Sequence, residues 1–230
     1  LIIAGTSVAD RLVVQHFPDC NMTWNVTECE GVQSGEQVLK ISGPAVQVLR
    51  CERIMLNILG RMSGIATNTA SWVSQAGNIG VACTRKTDWG LLDKWAVHVG
   101  GGLTHRLSRA DALMIKENDL ASMHEELETH AERLVTYLQQ VDPSDVGAFL
   151  EVETRTEKEA MMAAMVWSQR RSEEGVDRLV IMLDNFTPDQ CKAISEQMED
   201  QGVREHVVLE ASGGIVFDDL KSWHECGLDV

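Results

Sequence analysis

Leu179-Val180-Ile181-Met182-Leu183-Asp184-Asn185-Phe186-Thr187-Pro188-Asp189-Gln190 is the stretch on which the fold turns. Its apolar run ends on a carboxylate and reads as a strand. Thr187-Pro188-Asp189-Gln190 then combines an N-cap hydroxyl, a proline at the first helical position and a capping-box glutamine, so a helix should begin there. Strand, polar end and helix together make one β-α unit. The same rhythm recurs on either side. Val81-Ala82-Cys83 leads to Thr84-Arg85-Lys86, Ala112-Leu113-Met114-Ile115 to Lys116, Phe149-Leu150-Glu151-Val152 to Glu153, and Val207-Val208-Leu209 to Glu210-Ala211-Ser212. The endpoints 116, 153, 184 and 212 lie 37, 31 and 28 positions apart, the length of a β-α unit. Repeated units of this kind predict a parallel sheet whose strand ends converge on one mouth, in either a barrel or an open doubly wound sheet.

Further toward the N-terminus, Trp24-Asn25-Val26-Thr27 and Gln37-Val38-Leu39-Lys40-Ile41 read as short strands, separated by Glu30-Gly31 and Ser34-Gly35 turns. Gly43-Pro44 breaks this small α+β unit. Val46, Leu49, Leu56 and Leu59 then begin a helical spacing that continues to about Ile65, predicting a long buried helix that links two domains, with Arg53 on its buried face. A buried guanidinium needs an anion. The expected division is 1–45 and 46–230. The chain opens without methionine and stops at Gly227-Leu228-Asp229-Val230, which reads as the start of a new strand, so it is expected to be a fragment truncated at its C-terminus.

With 230 residues, 44% of them apolar, the chain is large enough for one or two domains with a real core. No apolar run is long enough to span a bilayer and the first residues lack a signal-peptide pattern, so a soluble protein is expected. The six cysteines form no CxxC pair, which argues against a zinc site or redox dithiol and for a reducing cytoplasm. A net charge of −15 disfavours nucleic acid and anionic membranes as partners.

Against that background, six of the 20 Lys and Arg residues fall between positions 85 and 116: Arg85, Lys86, Lys94, Arg106, Arg109 and Lys116. Their placement at strand ends points to an anionic ligand, and arginine's planar fork suits carboxylates and phosphates. Ordinary salt bridges to the abundant acids are the alternative. Gly100-Gly101-Gly102 before His105-Arg106 is either a loop that admits a ligand or a helix C-cap. Ser212-Gly213-Gly214, ahead of a helix at about Phe217 to Trp223, resembles a backbone nest for phosphate, with a tight turn as the plainer reading. Glu153 and Asp184 end neighbouring runs and could meet around magnesium or a ribose diol, with helix capping or pairing to lysine as the alternative.

Taken in order, Glu52-Arg53-Ile54-Met55-Leu56-Asn57, Ser63-Gly64-Ile65-Ala66-Thr67, Thr84-Arg85-Lys86-Thr87, Gly100-Gly101-Gly102-Leu103-Thr104-His105-Arg106, Leu113-Met114-Ile115-Lys116-Glu117-Asn118, Glu151-Val152-Glu153, Met182-Leu183-Asp184-Asn185-Phe186 and Glu210-Ala211-Ser212-Gly213-Gly214 form a series. This series resembles the quinolinate phosphoribosyltransferase family, and the resemblance covers essentially the whole chain. It implies an open α/β barrel preceded by a partial α/β sandwich domain, and a homodimer or hexamer of dimers. It also implies that Arg85, Arg106 and Lys116 hold a pyridine dicarboxylate bordered by Thr84, with Arg53 supplied across the subunit interface. Lys86 and His105 would lie beside pyrophosphate and substrate, Glu153 and Asp184 would bind ribose hydroxyls and Mg2+, and Ser212-Gly213-Gly214 would take the 5-phosphate. Lys86, Lys116, Glu153 and Asp184 would be the catalytic set.

Two segments depart from the family's pattern. Asp88-Trp89-Gly90-Leu91-Leu92-Asp93-Lys94 lacks the proline and arginine usual there, and Asp119 stands where the family has histidine. The competing readings are a related transferase for another pyridine or aromatic acid, a Schiff-base lyase using Lys116, and a binding protein without turnover.

Overall fold

The computed structural model describes residues 1–123 and 127–230. The chain divides into two compact units, one formed by Leu1–Ser74 with Val81–Leu107, the other by Gln75–Gly80 with Ser108–Val230.

The first unit contains helix α1 (Thr6–His16), the antiparallel strands β1 (Asn21–Trp24) and β2 (Leu39–Ser42), most of α2 (Ala45–Ala76), and α3 (Leu91–Val99). In the two-stranded ladder Asn21 faces Ser42 and Trp24 faces Leu39. Helix α1 has no side-chain cap of its own. The Glu28 carboxylate takes its place from a distance, accepting from the Gly5 and Thr6 amides at 2.8 Å each. Pro44 directly precedes α2, so the expected break falls where it was read.

The buried stripe of α2 differs from the expectation. Cys51, Met55, Ile58, Met62 and Ala66 face the core, whereas Val46, Leu49 and Leu56 are 68%, 69% and 53% exposed, and Arg53 is exposed with them. Both stripes are apolar and both have helical spacing, so periodicity in the sequence could not choose between them. Val81-Ala82-Cys83 is also not a full strand: it keeps a single parallel bridge, Ala82 to Leu103.

In the second unit four parallel strands lie in sequential order: β3 (Leu113–Ile115), β4 (Leu150–Thr154), β5 (Leu179–Asp184) and β6 (Val207–Ser212). Helices α4 (Glu117–Met123), α5 (His130–Gln140), α6 (Glu157–Glu174) and α7 (Pro188–Asp200) connect them. Beyond β6 the series continues, with Asp229 N–H donating to Leu209 O at 3.0 Å and Ala211 N–H to Val230 O at 3.0 Å. Strand order without a reversal is that of a barrel rather than a doubly wound sheet, so the second unit is an arc of an open α/β barrel.

The capping box read at Thr187 and Gln190 is present, and Thr129–Glu132 and Thr156–Glu159 cap α5 and α6 in the same way. After β6, a 3-10 helix spans Phe217–Trp223, where the sequence places a helix.

Candidate active site

The pleat divides the chemistry of the second unit. Registers of Leu113 with Leu150, Val152 with Ile181 and Ile181 with Leu209 put Ile115, Leu150, Val152, Leu179, Ile181, Leu183, Val207 and Leu209 on one face. These residues form the unit's core with Leu134, Leu138, Trp167, Ile194 and Met198. The alternate positions form the other face. There Met114 aligns with Glu151, Glu153 with Met182, Met182 with Glu210, and Asp184 with Ser212. A strand with helices on one side and a polar mouth on the other needs this alternation, and the apolar-run reading of β4 passed over it.

Lys116, one residue beyond β3, donates to Glu153, which is buried in β4. Arg155 lies two residues beyond Glu153 at the same strand end. It pairs with Glu117 at 2.5 Å and approaches Glu153 at 3.7 Å. Glu153 is thus placed between two cations, Lys116 and Arg155. The ion pair with Glu153 engages the Lys116 amine that the lyase reading needs as a nucleophile, so that reading gains no support. Asp119, at the position where the family has histidine, accepts from the Lys116 amide at 3.0 Å and faces Arg109 at 3.7 Å. It fixes the backbone at the foot of Lys116.

At the ends of β5 and β6 the two loops interlock. Asn185 N–H donates to Ser212 O at 2.7 Å, and Asn185 Nδ2 donates to Asp184 Oδ2 at 3.0 Å. Asn185 itself has φ +60, and Gly213 and Gly214 have φ +92 and +68. A Cβ on Gly213 would lie 2.3 Å from Asn185 Oδ1. Asp184, Asn185, Ser212 and Gly213 form one rim.

The first unit carries Arg53, Thr84, Arg85, Lys86, His105 and Arg106. Leu103 N–H donates to Val81 O at 2.8 Å and Cys83 N–H to Leu103 O at 3.0 Å, which brings residues 84–86 alongside residues 104–106. Thr84 Oγ1 accepts from the Lys86 amide at 3.1 Å, while Arg85 and Lys86 are exposed. Arg106 is buried, and His105 holds a left-handed φ of +58. Gly100 is the C-cap of α3, and it also lets the chain pass close to α2: a Cβ there would lie 2.4 Å from Ala66 O.

Lys94, counted by charge among the ligand cations, is buried, and its ammonium is turned to main-chain carbonyls. Its neighbour Asp93 takes two 2.7 Å bonds from Arg61 and accepts from Trp89 N–H at 3.0 Å. The Arg61 bonds hold the Asp93 carboxyl below the usual range against the opposing effect of burial.

Sequence reasoning missed Arg155, Asn185, and the buried Glu151 and Glu210 of the polar face. Arg155, Glu151 and Glu210 share the two-residue spacing of Glu153 and Ser212, so alternation would have found them. Asn185 carried no comparable signal.

Residues 65–230 match the quinolinate phosphoribosyl transferase C-terminal domain family, and residues 1–63 match the N-terminal domain family. The chain is 34% identical, over its whole length and 77% of the relative, to a probable carboxylating nicotinate-nucleotide pyrophosphorylase of Methanothermobacter thermautotrophicus. It is 35% identical, over 87% of its length and 72% of the relative, to a protein of the same name from Archaeoglobus fulgidus. The solved nicotinate-nucleotide pyrophosphorylase of Francisella tularensis superposes with a TM-score of 0.81 at 27% identity, covering 99% of this chain and 75% of that one.

Proposed function

This chain belongs to the quinolinate phosphoribosyltransferase family, and from that premise we propose that it converts quinolinate and phosphoribosyl pyrophosphate to nicotinate mononucleotide, pyrophosphate and carbon dioxide in NAD biosynthesis. The observation that carries the reading is the Lys116–Glu153 pair on the polar face of the parallel sheet, where a cation suited to a ring carboxylate adjoins a carboxylate suited to a ribose hydroxyl.

Arg85, Arg106 and Lys116 hold the two substrate carboxylates so that the ring nitrogen faces ribose C1, with Thr84 beside them. The C1–N bond forms as the C1–O bond to pyrophosphate breaks. Glu153 and Asp184 bind the ribose hydroxyls and place negative charge against the oxocarbenium-like sugar. Lys86 and His105 stabilise the departing pyrophosphate. The 2-carboxylate then leaves as carbon dioxide. Its bonding pair stays at C2, stabilised by the quaternary nitrogen, and takes up a proton. Ser212-Gly213-Gly214 binds the 5-phosphate through backbone amides. No strong base is needed, and positioning accounts for much of the rate.

Magnesium suits the donor set. Asp184, which keeps one carboxylate oxygen beyond its bond to Asn185, would hold the ion, and Glu153, engaged by Lys116, would contribute indirectly. When bound, the ion neutralises charge on the pyrophosphate. The exposed apolar stripe of Val46, Leu49 and Leu56 around Arg53 supports a homodimer in which Arg53 reaches the partner's pocket. Among the described residues no helix is long and apolar enough to cross a membrane. The free cysteines fit the reducing cytoplasm proposed as its compartment.

The test supplies phosphoribosyl pyrophosphate and magnesium with either quinolinate or nicotinate and follows pyrophosphate and carbon dioxide. Equimolar release of both products with quinolinate is expected. Pyrophosphate release with nicotinate and none with quinolinate would overturn the decarboxylating assignment.

A further inference from the structure

We propose that Lys94 is a positioning residue for the acceptor pocket, clamping residues 84–86 and residues 105–106 side by side from beneath. Its side chain is buried, and its ammonium donates to Cys83 O at 3.1 Å and Thr104 O at 2.5 Å. Cys83 immediately precedes Thr84-Arg85-Lys86, and Thr104 immediately precedes His105-Arg106. One charged group therefore joins the two segments that carry the proposed substrate cations of the first unit.

The clamp sits where the Val81-Ala82-Cys83 ladder stops after one bridge. In a parallel ladder continuing from Ala82 and Leu103, Cys83 O would accept from the residue 105 amide. Lys94 Nζ donates to that carbonyl, and His105 turns to φ +58, out of the extended conformation a ladder needs. Two strands that would have run on in hydrogen-bonded contact are freed to present side chains, and they stay in register because the ammonium spans them.

Lys94 is fitted for this and not for holding a ligand. Among the described residues no carboxylate lies within ion-pair distance of it, since the adjacent Asp93 is taken by Arg61. A buried ammonium without a counter-ion depends on carbonyl dipoles for its solvation, so releasing either carbonyl carries a large penalty. The base of the clamp is firm as well, because the Arg61–Asp93 pair ties α3 to α2 one residue away.

The inference rests on the phosphoribosyltransferase reading of Arg85 and Arg106, and the test separates the two. If wild-type protein turns over quinolinate, that reading stands and the variants decide the role of Lys94. Lys94→Met keeps the buried stem and removes the donors. We expect its quinolinate KM to rise about tenfold or more, the equivalent of about 1.4 kcal/mol per factor of ten. Ribose 5-phosphate, whose proposed contacts all lie in the second unit, should keep its affinity in isothermal titration. Lys94→Arg should recover much of the KM, because a guanidinium can still bridge two carbonyls. A merely structural role would lower the folded fraction and apparent kcat but leave the KM of the surviving enzyme unchanged, and that result would overturn the proposal. Equal weakening of quinolinate and ribose 5-phosphate would overturn it too. If Lys94→Met does not fold, Lys94→Arg and Lys94→Gln are compared by the same KM criterion.

Discussion

Replacing Gly213 by alanine tests the rim where the ends of β5 and β6 interlock. Two costs follow from its geometry. At φ +92 an L-residue is strained, by roughly 1–2 kcal/mol. Its Cβ would also meet Asn185 Oδ1 at 2.3 Å and the Asn185 backbone N at 3.2 Å, so the side chain must swing away. That movement gives up the 3.0 Å bond from Asn185 to the Asp184 carboxylate, a charge-assisted contact of about 1.5 kcal/mol. The sum is about 3 kcal/mol, or about 6–12 °C in melting temperature for a domain of this size. Gly214 is the internal control: its φ of +68 is similarly strained, but no atom lies within 4 Å of its would-be Cβ. Gly214→Ala should therefore cost only about 1 kcal/mol. Calorimetry of both variants, with kinetics against phosphoribosyl pyrophosphate, is the assay. Gly213→Ala should also raise the KM for phosphoribosyl pyrophosphate, because Asp184 loses its orienting partner. Asn185→Gly, which removes the obstructing side chain, should reduce the cost of Gly213→Ala in a double-mutant cycle. Equal costs for the two glycine variants, or no coupling to residue 185, would refute the reasoning.

Asp93→Asn should remove an acid-sensitive part of the first unit's stability. The Arg61 bonds depress the Asp93 carboxyl below its unfolded value, so the contribution is present above about pH 4 and is lost as pH falls through the depressed value. Urea melts across pH 7 to 2 should show wild type and variant converging in acid, and parallel curves would exclude the pair as the cause. A mixture of Arg53→Ala and Lys116→Ala proteins, each inactive alone, should regain up to about a quarter of wild-type activity if Arg53 serves the partner's pocket, because random exchange leaves some sites with both residues intact. No recovery after verified subunit exchange would place Arg53 in its own subunit's site.

Local chemistry made much of the second unit legible in advance. The apolar runs before Lys116, Glu153, Asp184 and Ser212 became β3 to β6, each ending within a residue of the position read, because continuous apolar runs and capping boxes act over a few neighbouring residues. Candidate residues at strand ends were legible for the same reason. The face of α2 was not. Leu49 and Leu56 on one stripe and Cys51 and Met55 on the other offer equal apolar area to a reader of periodicity, and only the packing of the first unit, with Ile58, Met62 and Ala96 in one cluster, decides which is buried. The single bridge at Ala82 was likewise outside what local propensity encodes.

The sequence by itself therefore determined the succession of β-α units, the caps that start their helices and the family to which the ordered motifs belong, all of which rest on interactions between near neighbours. Tertiary structure alone decided where each charge points. Lys116 and Glu153 are 37 positions apart and meet because β3 and β4 are adjacent and in register. Lys94 has the same side chain as Lys116 yet turns inward, because two carbonyls from opposite ends of the 83–104 segment are there to solvate it. Charge is a property of the residue, but its partner is set by distant backbone, which is why the cationic cluster could be counted from the sequence and not divided into ligand contacts and clamp.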